Sequence, residues 1–255
     1  MQRRIVIGDV HGHYDSLVAL LEAISPGYSD QVYLLGDLVD RGPKSYQVVD
    51  LVINNKYNCI LGNHEHMIVE ILLHRKGNHP ALQTWLSSGG NNTLRSYGRQ
   101  GVSLDHLDWM NQLPTFIDLD DIWLSHAGLN PNLPLEKQGI MQLCWVREEF
   151  HASPKPYFPD KTIITGHTIT FTFPGVEPGK LVAGPGWMNI DTGAYHPKSG
   201  WLTGVDLTNS LVYQVNSFSH AKRVMFLEDA ITQVNPTDCW NRRGVQVSPS
   251  YVAAG

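Results

Sequence analysis

Cysteine is scarce in this chain of 255 residues: the three present (Cys59, Cys144 and Cys239) lie far apart and form no CxxC pair. An odd number of cysteines without a disulfide framework indicates reduced thiols and predicts a cytoplasmic protein. Long apolar runs are also missing, since MIVEILL (67–73) is too short to cross a bilayer, so we expect no membrane partner. With 19 basic against 24 acidic residues, nothing in the net charge of -5 favours nucleic acid as a partner.

The first third of the chain alternates between strand-like and helix-like stretches. In YDSLVALLEAI (14–24), the apolar residues have the spacing of a helix face, and the strand-like MQRRIVIGDV precedes it. The same order recurs in DQVYLLGDLVDRG followed by KSYQVVDLVINN, and in YNCILGNHEH followed by a helix from about 65 to 74. This β-α-β-α order predicts an α/β sheet that binds its ligand at the carboxyl ends of the strands.

The rest of the chain divides into three parts. Residues from about 75 to 115 are polar around SSGGNN and predict a helical excursion over one side of the site, with Trp85 in the core. Short strands then follow in DIWLSHAGL, KTIITGHT, WMNIDTGA, WLTGVDL and SLVYQV, and these predict a second, more antiparallel sheet. Residues 219–255 show no clear period. We therefore expect one catalytic domain over 1–218 and a C-terminal extension, 219–255, of unknown role.

Side chains that can bind metals follow five of the predicted strands. They lie in GDVHG, GDLVDRG, GNHE, SHAGL and GHT, and are Asp9, His11, Asp37, Asp40, Asn63, His64, His126 and His167. Carboxylate and amide oxygens and imidazole nitrogens are ligands for Mn, Fe or Zn. A turn explains a single GD and a core position explains a single His, but neither explains five such strand ends. The number of donors indicates two metal ions, which a carboxylate can bridge.

These five motifs, in this order, resemble those of the calcineurin-like metallophosphoesterase superfamily. More narrowly, they resemble the phosphoprotein phosphatase family with its bacterial and phage members. The resemblance runs from about residue 4 to 215, and WVREEF (145–150) and MNIDTGA (188–194) also resemble the bacterial branch. It implies a four-layer α/β/β/α sandwich in which helices flank two mixed sheets. The strand pattern agrees with this fold but does not predict it alone.

The resemblance also implies which residues hold the metals. The implied ligands are Asp9, His11 and Asp37 for one ion, and Asp37, Asn63, His126 and His167 for the other, so Asp37 would bridge the two. The cofactors would be two divalent ions, with manganese expected and iron or zinc as alternatives.

Four residues are implied to handle the phosphate ester. His64 would protonate the leaving-group oxygen, and Asp40 would bind the other ring nitrogen of His64, which fixes the tautomer and raises the imidazole pKa. Arg41 would grip the phosphate oxygens with its planar fork. Arg147, in the shorter motif WVRE, would be a second phosphate clamp.

For three residues, a structural reading competes with a direct role in catalysis. Arg147 could instead form a surface ion pair with Glu148 or Glu149. Glu65 is expected to orient the loop or accept backbone N–H groups at the start of a helix, rather than to bind metal. For Asp191, support of a ligand histidine and a tight-turn role remain equally open.

The implied function is that of a phosphomonoesterase, similar to serine/threonine protein phosphatases and acting on a phosphoprotein or a small phosphoester. A water that bridges the two metals would attack phosphorus directly, and the chain has no Cys-x5-Arg loop to supply a cysteine nucleophile. The alternative is a symmetrical bis(5'-nucleosyl)-tetraphosphatase. Such relatives typically have GDLVARG and GNHD where this chain has GDLVDRG and GNHE, so Asp40 favours the phosphatase side. A non-catalytic interaction module is the remote alternative, because every expected ligand position is filled.

Overall fold

Twelve strands in the described part of the chain form two sheets. A computed structural model describes residues 2–74 and 78–239. The strands are β1 (Arg4–Ile7), β2 (Gln31–Leu34), β3 (Asn58–Cys59), β4 (Phe116–Asp118), β5 (Ile122–Ser125), β6 (Thr162–Thr165), β7 (Leu181–Gly184), β8 (Trp187–Asn189), β9 (Trp201–Asp206), β10 (Leu211–Asn216), β11 (Lys222–Phe226) and β12 (Ile231–Gln233). Their order is β11-β10-β9-β1-β2-β3 in the first sheet and β12-β7-β8-β6-β5-β4 in the second.

Helices connect the strands and cover both sheets. They are α1 (Tyr14–Ile24), α2 (Ser45–Asn54), α3 (Asn63–Ile68), α4 (His79–Trp85), α5 (Asn91–Tyr97), α6 (Leu104–Asn111), α7 (Ile140–Trp145), α8 (Glu148–His151) and α9 (Leu227–Ala230). Two π-helical turns, Val69–Leu73 and Leu86–Gly90, extend α3 and α4, and short 3-10 turns occur at Gly98–Gln100, Leu135–Lys137, Thr170–Thr172 and Pro236–Asp238. Among the described residues of the predicted excursion, α4, α5 and α6 are helical. Across the described ranges, none of the helices has the length and apolar character needed to span a membrane.

Three apolar clusters define the four layers. One lies between the sheets and joins Val6 of β1 to Leu124 of β5. A second packs α1 and α2 against the outer face of the first sheet, and a third packs α7 and α8 against the outer face of the second. Residues that alternate along one strand enter different clusters, as Ile5 and Val6 do, because successive side chains point to opposite faces. The fold is therefore the α/β/β/α sandwich with two mixed sheets.

The strands of the second half are shared between the sheets, which corrects one prediction. Strands β9 and β10 were expected in a second, more antiparallel sheet, but β9 pairs antiparallel with β1 and extends the first sheet. In the second sheet, β5, β6 and β8 run parallel to one another. The first sheet is thus the more antiparallel of the two. Short turn-flanked strands have the same local pattern in either sheet, so their pattern does not reveal their partners.

The predicted boundary at residue 218 falls inside the sandwich rather than after it. Strand β11 pairs with β10 at the edge of the first sheet, and β12 pairs with β7 at the edge of the second. The chain from 222 to 233 therefore belongs to the same unit as the predicted catalytic domain. Its sequence shows no clear period because both strands are short edge strands.

Two glycines bring the loops after β2 and β3 into contact. Gly36 has a φ of 86°, and a Cβ atom built on it would lie 2.5 Å from the backbone nitrogen of Gly62. A side chain on Gly62 would in turn collide with the backbone and carboxylate of Asp37. Only glycine allows both the left-handed backbone and this close approach.

We expect Gly36→Ala to lower the free energy of unfolding by more than its left-handed backbone alone explains, because the added methyl meets backbone atoms. Gly98→Ala is the matched control, since Gly98 has a φ of 70° and nothing within 4 Å of a built Cβ. The free energy of unfolding should fall by about 1 kcal/mol in the control, and in Gly36→Ala it should fall by at least about 2 kcal/mol more than that. Urea unfolding measures both, and equal losses would show that the loops do not constrain each other.

His151 is a titratable side chain inside the third cluster. It is fully buried, and its ring lies 4.8 Å from that of Trp187 and 5.0 Å from that of Phe173. Burial lowers the pKa of His151 to about 3. The unfolded chain therefore binds a proton at this residue below about pH 6.5 while the folded chain does not.

Stability should therefore fall as the pH drops from about 6.5 towards 3, by up to about 1.4 kcal/mol per pH unit from His151. When the pH falls from 7 to 5, the free energy of unfolding should decrease by about 2 kcal/mol less in His151→Met than in the wild type. The exposed His79, changed to Gln, is the control and should behave like the wild type. Urea titrations at both pH values give the comparison, and an unchanged pH dependence in His151→Met would contradict this role.

Candidate metal centre and active site

The carboxyl ends of strands from both sheets meet at one cavity of about 150 Å³. It is lined by His11, Asp37, Arg41, Asn63, His64, Arg147, His167, Thr168, Ile169, Thr172, Asp191 and Tyr195. The predicted candidates outside this lining, Asp9, Asp40 and His126, are buried directly against it through contacts described below. The five predicted strand ends therefore do converge in space.

Asp37 belongs to two groups of buried donors that could each hold a metal ion. One group joins Asp37 to His11 and His64, the other joins it to His126 and His167, and within each group the donor atoms lie within 4.8 Å of one another. Burial opposes the charge of Asp37, but the surrounding imidazoles hold the pKa of its carboxyl below the ordinary value. This shared position is the one that a bridging carboxylate needs.

Two imidazoles present a lone pair to the centre. The Nδ1 atoms of His11 and His126 lie 2.9 and 2.7 Å from the carbonyl oxygens of Val39 and Leu35, so each Nδ1 donates a proton there. Burial lowers the pKa of both rings, and a neutral ring then has a lone pair on Nε2. Nε2 of His126 lies 3.0 Å from Oδ1 of Asn63. Two acceptors this close repel unless a cation lies beside them, so this set fits a metal ion.

Buried negative charge also fits metal binding. Asp9, Asp37 and Asp191 are 3%, 2% and 2% exposed. Burial and the charges of the other two carboxylates raise the pKa of Asp9 well above its ordinary value, and burial raises the pKa of Asp191 to about 6. Buried carboxylates that raise one another's pKa ionise together only where cations neutralise them. The residues present therefore fit divalent metal ions.

Asp9 and His64 differ from the simplest form of the expected ligand set. Asp9 lies in neither donor group, and its two carboxylate oxygens accept the backbone N–H of His167 at 3.2 and 3.1 Å. His64 lies in a donor group, but both of its ring nitrogens are engaged. Nδ1 is 2.6 Å from Oδ2 of Asp40, and Nε2 is 3.1 Å from Nη2 of Arg41. These contacts favour an acid–base role for His64 over metal ligation.

The charges around His64 act against the effect of its burial. Burial lowers the pKa of the imidazole, but the charge of Asp37 and the hydrogen bond to Asp40 outweigh burial and raise it. Because Nδ1 donates to Asp40, a proton that passes to a substrate would have to be carried by Nε2, which here accepts from Nη2 of Arg41.

Two guanidinium groups reach the cavity. The Arg41 guanidinium carbon lies 4.0 Å above the ring of Tyr195, and its buried Nε has no hydrogen-bond partner within the described residues. Nη1 of Arg147 donates to the carbonyl of His167 at 3.0 Å and to Oγ1 of Thr168 at 2.9 Å. Arg147 is therefore turned towards the cavity and not into the alternative surface ion pair.

Glu65 holds the loop that carries Asp37. Its carboxylate accepts the backbone N–H groups of Asp37, Leu38, Val39 and Gly62 at 2.8, 2.8, 3.3 and 3.1 Å. This confirms the expected role as an acceptor for backbone donors. The helix α3 begins at Asn63, two residues earlier than predicted, because Glu65 caps it from within its first turn.

The backbone around the site is strained at several residues that are not glycine. Those with left-handed φ angles are His11 (46°), Asp37 (50°), Asp40 (70°), Arg41 (65°) and His167 (67°). Each such angle costs about 1 kcal/mol or more, and non-glycine residues adopt it mainly where the surroundings impose it. The same residues carry the candidate chemistry, which supports their assignment to a functional site.

Several residues of the site have no signal in the sequence patterns. Tyr195 contacts Arg41 and His11, yet it follows MNIDTGA without a motif of its own. Trp85 is a core residue as expected, but its Nε1 also donates to the carboxylate of Asp40. Asp191 accepts the backbone N–H of Gly193 at 2.9 Å, in agreement with its tight-turn reading, and it also lines the cavity.

The fold and the site together define a metal-dependent phosphoesterase. A family model for calcineurin-like phosphoesterases matches residues 3–184. The chain therefore belongs to the calcineurin-like phosphoesterases, which are metal-dependent hydrolases.

Known proteins similar to this chain are named for dinucleotide hydrolysis. A symmetrical bis(5'-nucleosyl)-tetraphosphatase of Vibrio campbellii is 28% identical over 192 residues, which cover 66% of this chain and 68% of the relative. One of Buchnera aphidicola is 35% identical over 131 residues, 49% of this chain and 43% of the relative, so the match spans less than half of that protein. A solved structure of a proposed diadenosine tetraphosphatase shares the fold, with a TM-score of 0.65 and 23% identity over 86% of this chain and 95% of that chain.

We expect removal of metal by a chelator to lower the melting temperature, since it leaves the buried carboxylates without compensation. Adding Mn²⁺ should restore the melting temperature. At 100 times its Kd, the metal adds about 2.7 kcal/mol to the free energy of unfolding. Asp37→Asn should lose most of this response, whereas the exposed Asp108, changed to Asn, should keep it. Thermal melts measure the effect, and a full response in Asp37→Asn would rule out Asp37 as the shared ligand.

Proposed function

We propose that this protein is a phosphomonoesterase that hydrolyses alkyl phosphates, with phosphoserine and phosphothreonine of proteins as its substrate class. Asp37, Asn63, His11, His126 and His167, with Asp9 beside them, would hold two divalent ions, and manganese is the expected metal. Bound there, the ions would supply the Lewis acidity that activates water and polarises the phosphoryl group. The free, buried cysteines agree with the cytoplasmic location that forms part of this proposal.

The observation that carries the proposal is the 2.6 Å contact between Nδ1 of His64 and the carboxylate of Asp40. A serine or threonine alkoxide is a poor leaving group, because it is strongly basic and departs only if an acid protonates it. When a dinucleoside tetraphosphate is hydrolysed, the leaving group is a nucleoside diphosphate. This is a stable anion, so its departure is accelerated little by such an acid. A paired and buried His64 is therefore more useful for an alkyl ester than for a phosphoanhydride.

The size and charge of the cavity support a single phosphoryl group. Its volume of about 150 Å³ is small, and the cationic side chains in its lining are Arg41 and Arg147. The unpartnered Nε of Arg41 is a donor that a phosphate oxygen would satisfy. Arg41 also donates to Nε2 of His64 at 3.1 Å, the atom that must carry the transferable proton. A phosphate that draws Arg41 towards itself would leave Nε2 open for that proton.

The second candidate is symmetrical dinucleoside tetraphosphate hydrolysis, which the names of the relatives favour. Such a substrate would bring three further phosphoryl groups and two nucleosides to the site. The cavity lining provides two guanidinium groups for these charges, and this favours the monoester.

A comparison of three substrates tests the proposal. With Mn²⁺-loaded protein, we expect kcat/KM to be higher for phosphoserine and phosphothreonine peptides than for diadenosine tetraphosphate. His64→Asn should lower kcat for the peptides by about 10² to 10⁴ and for p-nitrophenyl phosphate by much less, since nitrophenolate needs no acid.

Metal content, measured by atomic emission, should stay the same in His64→Asn, because both nitrogens of His64 have other partners. The matched control is His79→Gln, which changes an exposed histidine that is not among the residues lining the cavity. Preferential cleavage of the dinucleotide by the wild type would overturn the proposal in favour of the second candidate.

A further inference from the structure

The helical excursion packs directly onto Asp40. Its central part, residues 78–97, contains α4, the π-helical turn and α5, and is called the overlying segment below. Two side chains of this segment donate to the Asp40 carboxylate. Nε1 of Trp85 lies 3.0 and 3.2 Å from the two oxygens, and Oγ1 of Thr93 lies 2.6 Å from Oδ1. Trp85, Thr93 and Asp40 are all fully buried.

The hydroxyl of Thr93 also holds the backbone of Asp40. Its Oγ1 accepts the Asp40 backbone N–H at 2.8 Å, and Oγ of Ser45 accepts the same N–H at 3.1 Å. Thr93 thus binds both ends of a residue whose φ angle, 70°, lies in the strained left-handed region. The hydroxyl therefore constrains the position of Asp40 as well as the direction of its carboxylate.

Gly89 and Gly90 allow the overlying segment to lie this close. Gly89 has a φ of 119°, and a side chain there would collide with the backbone of Arg41. A Cβ atom built on Gly90 would lie 2.5 Å from the indole of Trp85. Asn92 donates to the carbonyl of Arg41. The polar stretch SSGGNNT is therefore a close-packed support for Asp40 and Arg41.

We propose that Trp85 and Thr93 are positioning residues that fix the Asp40 carboxylate so that it holds His64 in the orientation of a general acid. A carboxylate that accepts three donors, from His64, Trp85 and Thr93, has one orientation, whereas the loss of a donor frees it to rotate. The ring of His64 is then no longer held in one orientation, because the contact of its Nδ1 with Asp40 sets the direction of the ring. The inference rests on the proposed role of His64 as the acid.

Substitutions that remove one hydrogen bond and keep the shape test this inference. Thr93→Val removes the hydroxyl, and Trp85→Phe removes the indole N–H while an aromatic ring stays in the core. We expect each to lower kcat for a phosphoserine peptide about 10-fold and for p-nitrophenyl phosphate less than about 3-fold, with KM within about 2-fold. A residue that only supports the fold would lower both activities alike.

Matched controls come from the same region. Thr84→Val removes an exposed hydroxyl from the overlying segment, where it donates to the carbonyl of Pro80, and Trp109→Phe alters a tryptophan of the same apolar cluster. Both should leave the ratio of peptide to nitrophenyl activity unchanged. Urea unfolding checks that each variant is folded under the assay conditions.

A double substitution shows whether Thr93 acts through Asp40. Asp40→Asn alone should lower peptide turnover more than nitrophenyl turnover, and adding Thr93→Val to it should cause less than about a 2-fold further loss. Additive 10-fold losses would overturn the inference, as would an unchanged activity ratio in both single variants. If Asp40→Asn itself lowers both activities equally, the proposed acid role of His64 fails, and this outcome is distinct from a failure of Trp85 and Thr93.

Discussion

The site depends on the buried carboxylate of Asp37 and on the loop that aims it. Both groups of metal donors include this carboxylate, so its position determines whether the histidines can act as one centre. The loop has a left-handed φ at Asp37 and is held by four backbone N–H groups that donate to Glu65. Gly36 and Gly62 let this loop touch the next one, which carries Asn63 and His64. Glu65, which binds no metal in our assignment, thus positions Asp37, the carboxylate that would bind both metals.

The strained backbone at Asp40 and Arg41 is held by contacts from another part of the chain. Both have left-handed φ angles, and neither is a glycine, so the backbone there needs contacts from outside its own loop. The overlying segment provides them through Trp85, Thr93 and Asn92. In our proposal, the excursion therefore supports catalysis, although it lies outside the sheets that carry the metal donors.

The similar proteins are named for dinucleotide hydrolysis, whereas our proposal assigns a monoester substrate to this chain within the same family. Metal donors alone do not separate them, because water activation and phosphoryl polarisation serve a monoester and an anhydride alike. What separates them is the need to protonate the leaving group. In our proposal the Asp40–His64 pair meets that need, and the overlying segment adds two further hydrogen bonds to Asp40.

Sequence patterns determined the α/β class, the boundaries of α1 and the donor residues, because strand-loop motifs and helix periodicity are local properties of the chain. The four-layer architecture came from the resemblance of the motifs. Tertiary structure alone decided that β9 and β10 extend the first sheet and that β11 and β12 lie at the edges of the two sheets. It also brought Trp85 and Thr93 to Asp40 across 45 and 53 positions of the chain. Contacts over such separations leave no periodic trace, since each side chain fits its own helix equally well with or without its distant partner.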